Sequence, residues 1–128
     1  MTRRDLASHA QAELASREAH YPDRVVAGTM SADEAGRGIA AWRAIVALLE
    51  HGETTFEPCL GETPAIAWAE LLAVIHAAVE HRVGKPDQGN RLFALRQIRS
   101  LLIPSAIRQG VQIRTENGRQ APARLLAA

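Results

Sequence analysis

The sequence predicts an all-α protein, a small helical bundle built on an N-terminal αα-hairpin, and three observations carry that expectation. Alanine fills 24 of the 128 positions; it has the best intrinsic helix propensity and lets helices approach closely. Apolar residues recur at spacings of three and four in four successive segments, the signature of helices with one buried face. Proline and glycine fall between those segments, where they punctuate helices.

Arg4 to His20 reads as the first helix, with Leu6, Ala10 and Leu14 on one face. Pro22 interrupts it, and Pro22 to Ala27 reads as a further helical turn after a kink, because proline removes a ladder donor yet suits the first turn of a new segment. Gly28 supplies the stop. The second helix starts at a capping box, Ser31-Ala32-Asp33-Glu34, in which Ser31 accepts from the Glu34 amide and the Glu34 carboxylate reaches back. Its stripe is Ile39, Trp42, Val46 and Leu49, widened by Ile45 and Leu48, and Gly52 ends it. Gly36 and Gly38 lie inside this helix and follow no strand, so they form no phosphate loop; they point instead to close approach of the first helix.

Glu53 to Thr63 reads as a loop, with Phe56 plugged into the core and Thr63 capping a third helix from Pro64 to about Arg82. Trp68, Leu72, Ile75 and Val79 form one stripe of that helix, and Leu71, Val74 and Ala78 fill the next. The polar strip is Glu70, Glu80 and His81, which predicts a central, buried helix. Gly84 to Gly89 is a turn cluster. A fourth helix spans about Asn90 to Ile103 with Leu92, Leu95, Ile98 and Leu102 inward, and Pro104 ends or kinks it. Val111 to Thr115 alternates like a short strand before an Asn117-Gly118 turn signal. An isolated hairpin is marginal, so this segment reads as irregular or short β. Residues 1–110 thus read as one helical domain, with the hairpin over 4–51, and residues 111–128 as an irregular or flexible C-terminal segment.

Function classes narrow by composition. A single cysteine, Cys59, allows no internal disulfide, which suits a reducing compartment. The N-terminus lacks an apolar signal core, and the longest apolar run, Ala65 to Val79, contains Glu70 and His76 and is too short to span a bilayer. A cytoplasmic location is therefore expected, with no membrane partner. His76-Ala77-Ala78-Val79-Glu80-His81 resembles a zinc-peptidase string, but His76 and His81 are five residues apart, about 140° round a helix, and cannot grip one ion. His51 and Cys59 flank the second loop without a recognisable nucleophile motif. No catalytic residue, metal or cofactor is expected.

Charge is uneven. Residues 1–64 hold six Arg/Lys against ten Asp/Glu, a net −4, while residues 65–128 hold nine against four, a net +5. Opposite halves of this kind suit ordinary solvated faces, a nucleic-acid contact, an acidic partner, or pairing of one half with the other, within a chain or between chains. The candidate binding residues are Arg91, Arg96, Arg99, Arg108 and Arg114, followed by Arg119 and Arg124, with Gln97 and Gln109 as amide donors. Such a helix could track phosphates, although stacking aromatics other than Phe93 are missing.

Glu13-Leu14-Ala15-Ser16-Arg17, then Tyr21-Pro22, Val25, Gly28-Thr29-Met30-Ser31 and Glu34-Ala35, followed by Ile39, Trp42, Ile45 and Leu49, resembles a group of small proteins encoded by phages and prophages of Gram-negative bacteria. The resemblance covers roughly residues 11–50. It implies a phage-related origin and supplies no reaction. Its residues read as architecture, with Arg24, Arg37 and Arg43 as exposed neighbours available for binding. The expected function is therefore a non-enzymatic phage or prophage accessory protein that binds a host or phage protein, such as an inhibitor or adaptor of host machinery or defence. The alternative is a nucleic-acid-binding protein using the basic C-terminal third, and a homo-oligomer is compatible with either.

Overall fold

Thr2 opens the first helix with a complete capping box that the sequence reading passes over. The Asp5 amide donates to Thr2 Oγ1 at 3.1 Å and the Thr2 amide to Asp5 Oδ2 at 3.0 Å, satisfying donors the helix start would otherwise leave unpaired. These contacts from Thr2, backbone first and side chain second, hold the Asp5 carboxyl below its ordinary value of 3.8. The computed structural model describes residues 1–52, 64–86 and 88–112. Among them the fold is all-α, with four α-helices and no strand: α1 Arg3–Val26, α2 Ala32–His51, α3 Pro64–Arg82 and α4 Arg91–Arg108, plus one 3-10 turn, Gln88–Asn90. Two compact units divide the chain, Met1–Phe56 and Glu57–Ala128.

In the first unit α1 and α2 pack as the expected hairpin. The helix α1 continues through Pro22 to Val26 as one element, so the further turn expected after His20 belongs to the first helix. Pro22 and Glu18 are both exposed, so the carbonyl that loses its proline-side donor is left to water and the ladder continues around the gap. The stop comes at Gly28, as the sequence indicates. Its φ is +78°, and the Thr29 amide donates to the Arg24 carbonyl at 3.0 Å while the Gly28 amide donates to that of Val25 at 3.1 Å. This paired arrangement is a Schellman motif, which needs a left-handed residue between its two donors. Helix α2 restarts where Ser31 Oγ accepts from the Glu34 amide at 3.0 Å.

The core of this unit is rotated from the predicted stripes. On α1 the buried residues are Leu6, Ala7, Ala10 and Glu13, with Leu14 half-buried; on α2 they are Ala35, Ala41, Trp42, Ile45, Leu48 and Leu49, with Ile39 and Val46 only half-buried. Glu13 is 3% exposed. Its Oε1 accepts from Arg17 Nη1 at 2.8 Å, Arg17 Nη1 also reaches the Glu13 carbonyl, and the Arg17 guanidinium lies 4.5 Å over the Trp42 ring. A polar residue thus occupies the place that apolar periodicity assigns to Leu14. The two helix glycines separate: a Cβ on Gly38 would meet Tyr21 Cε2 at 3.1 Å, whereas one on Gly36 would meet nothing within 4 Å. Close approach explains Gly38 and not Gly36.

In the second unit α3 and α4 pack against each other. Buried α3 residues are Ala67, Trp68, Leu71, Leu72, Ile75, Ala78 and Val79, as the two predicted stripes require apart from the half-buried Val74. Helix α4 buries Ala94, Leu95, Ile98, Leu102, Ile103 and Ala106. It extends past Ile103 and through Pro104 to Arg108, again with an exposed proline and an exposed residue, Ser100, four positions earlier. Each fully buried Leu or Ile contributes roughly 1.5–3 kcal/mol relative to exposure. Among the described residues no helix is long and apolar enough to cross a membrane. The predicted loop with Phe56, Cys59 and Thr63, and the segment from Ile113 on, lie outside the described residues.

Candidate interaction surface

Of the five arginines singled out from sequence, the four among the described residues do not form one stripe. Arg91 and Arg99 are half-buried, Arg96 and Arg108 are exposed, and Arg114 lies outside the described residues. At 100° per residue, Arg99 and Arg108 point to opposite sides of α4, about 180° apart. Arg99 Nη1 turns toward α3 and sits 3.4 Å from His76 Nδ1, a donor–acceptor contact when that nitrogen is unprotonated. Arg108 Nη2 donates to Ser105 Oγ at 2.9 Å. A continuous phosphate-tracking row is therefore not what these four side chains build.

What α4 does present is a mixed face. Phe93, Leu101 and Ile107 are 47, 47 and 48% exposed, and Arg96, Gln97, Ser100, Pro104 and Arg108 are exposed as well. Taken from Phe93, these eight positions fall within an arc of about 140°. Arg96 lies near one edge of the arc and Arg108 near the other half, with Phe93, Ser100, Pro104 and Ile107 between them. Leu95, Ile98 and Leu102 point away from this arc, into the core. Sequence reasoning located the arginines and Phe93 and missed Leu101 and Ile107 beside them, because α4 carries apolar residues on both faces and periodicity alone does not say which face is inside.

The other tempting groups are occupied structurally. Among the described residues no group of three or more His, Cys, Asp or Glu could hold a metal ion. His76 faces Arg99, while His81 Nε2 lies 3.1 Å from Lys85 Nζ. His51 Nε2 is 3.5 Å from Glu50 Oε2, and Cys59 falls outside the described residues. An open groove of about 630 Å³ lies between the start of α1 and the end of α2, floored by Ala7 and Leu49. Its polar walls are tied into the hairpin: Arg3 Nη2 donates to the Leu48 carbonyl at 2.8 Å, and Gln11 Nε2 donates to Glu50 Oε1. Of the exposed arginines singled out among residues 11–50, Arg43 pairs with Glu18 at 3.0 Å across the hairpin, and Arg24 gives its carbonyl to the Schellman turn.

The fold and this face define a small all-α protein whose most distinctive surface is one apolar and basic helix side. No family model, curated protein or solved structure matches the chain.

Proposed function

We propose that this chain is a non-enzymatic phage or prophage accessory protein that acts in the host cytoplasm by binding another protein. The observation that carries the binding part is the outer face of α4, where Phe93, Leu101 and Ile107 stand about half exposed beside Arg96 and Arg108. Aromatic residues and arginine are enriched in protein interfaces, and three half-exposed apolar side chains on one side of a single helix support association. A phosphate-following surface would place its cations along one track, whereas Arg96 and Arg108 lie about 120° apart round α4. The phage-related origin rests on the resemblance of residues 11–50 alone.

The test is affinity capture from a bacterial host lysate with wild-type protein and with Phe93→Ser/Leu101→Ser, both checked for helicity by circular dichroism. A discrete protein retained by the wild type and lost with the double variant is the expected outcome. Capture that is identical for both proteins, or salt-sensitive retention of generic DNA or RNA through Arg96 and Arg108, would overturn the reading.

A further inference from the structure

We infer that Lys85, in the turn after α3, is a site of acyl modification, with His81 as the base that takes the proton from its amine. The site is independent of the face proposed above to bind protein. The chain holds fourteen arginines and one lysine. A guanidinium stays protonated and does not attack an acyl carbon, whereas a lysine amine does so once it has given up a proton. Position 85 is thus the one place where this chain offers a side-chain amine.

The turn that carries Lys85 is tied down by its own contacts. Helix α3 ends at Arg82, and Gly84 takes a φ of +82°. The Lys85 amide donates to the Arg82 carbonyl at 3.1 Å, and Arg82 Nη2 donates to the Pro86 carbonyl at 3.1 Å. In this turn Lys85 Nζ stands 3.1 Å from His81 Nε2. With its proton on Nδ1 the His81 ring accepts at Nε2, because an ammonium facing an imidazolium would have donors on both sides and no acceptor. That is the arrangement of a base set on its nucleophile. His81, Gly84, Lys85 and Pro86 are all exposed, so an acyl donor reaches the amine from solvent.

The donor class is a small activated acyl group, an acyl phosphate or an acyl thioester. With acetyl phosphate, the lone pair of the neutral Lys85 amine attacks the carbonyl carbon and an N–C bond forms. The C–O bond to phosphate then breaks, and phosphate leaves with the electron pair. The proton lost from Nζ passes to His81 Nε2 and on to the departing phosphate. The products are an acetylated Lys85 and inorganic phosphate, with nothing oxidised or reduced. With a thioester the C–S bond breaks instead, and the leaving thiolate takes the proton.

The test incubates the full chain with acetyl phosphate in one arm and acetyl coenzyme A in the other, and times acetylation of Lys85 by peptide mass spectrometry. Wild type is compared with His81→Leu and His81→Gln, and circular dichroism checks that all three fold alike. Glutamine accepts a hydrogen bond from the amine but cannot take its proton, which separates a base from a positioning contact. Wild-type Lys85 is expected to react with at least one donor faster than free Nα-acetyl-lysine amide does, and the arm that reacts identifies the donor. Both variants are expected to be slower by at least about fivefold, short of the roughly 10²–10⁴ of an enclosed base because this pair is exposed. Wild-type Lys85 no faster than the free amide in either arm would overturn the inference. So would a slowing of less than about fivefold in His81→Leu, or in His81→Gln, since a bystander imidazole or a mere hydrogen-bond acceptor would leave the rate near that of wild type.

Discussion

Removing Arg17 while leaving Glu13 in place is expected to cost far more than removing both. Glu13 is 3% exposed, and the Arg17 side chain is 17% exposed, so this pair lies largely out of water. Arg17→Met keeps the apolar stem over Trp42 but deletes the charge-assisted bond at 2.8 Å and the second bond to the Glu13 carbonyl. A hydrogen bond to a charged group contributes about 1.5–3 kcal/mol, and the guanidinium–indole contact adds about 1 kcal/mol. Breaking a buried pair from one side commonly costs 3–5 kcal/mol because a buried charge is left behind. Glu13 keeps a further contact, which places the expected loss near the lower end, about 3 kcal/mol. In a chain of this size that corresponds to a fall in Tm of roughly 10 °C. Glu13→Leu/Arg17→Met removes both charges and lets Leu take the buried site, with an expected cost within about 1 kcal/mol of wild type. Urea unfolding followed by circular dichroism and tryptophan emission measures both variants. Arg17→Met within 1 kcal/mol of wild type, or a double variant as unstable as the single one, would refute the account of Glu13 as a paired core residue.

Gly36→Ala is expected to raise stability by about 0.5–1 kcal/mol, since the new methyl meets open space and alanine is the better helix former. Gly38→Ala should gain less or lose stability, because Tyr21 must move to relieve a 3.1 Å contact; the difference between the two variants in one thermal melt is the readout. Gly28→Ala should cost about 1–2 kcal/mol, as its φ of +78° is a left-handed conformation that a Cβ resists; a melt unchanged by the substitution would contradict the Schellman turn. Asp5 should titrate below 3.8 in a carboxyl NMR titration. Its folded value is lowered, so its contribution is present above the unfolded value and lost as pH falls through the folded one. Any advantage of wild type over Asp5→Asn should accordingly be largest near neutrality and shrink in acid.

The elements were legible because each has a local physical cause on the chain itself. Ser31 with Glu34, Gly28 after Val26, and the Trp68–Val79 stripe each state a start, a stop or a face, and the helices follow them. What was not legible follows from tertiary context. Pro22 and Pro104 look like breaks when only the missing amide is counted; on an exposed face the orphaned carbonyl bonds to water, and the helix passes through. Glu13 looks like surface until Arg17 and Trp42 are seen to surround it, since a carboxylate enters a core only with partners that no periodicity reveals.

The same reasoning explains why the proposed face of α4 was only half visible. Arginine announces itself in a sequence because it is charged wherever it stands, so Arg96 and Arg108 were found. Phe93, Leu101 and Ile107 carry no such mark, since Leu95, Ile98 and Leu102 are just as apolar and go inward. A helix that is apolar on two sides has spent one side on folding. Among the described residues the second side stays about half exposed, and that surplus, more than the net charge of the chain's C-terminal half, is what supports the proposal that α4 meets a partner.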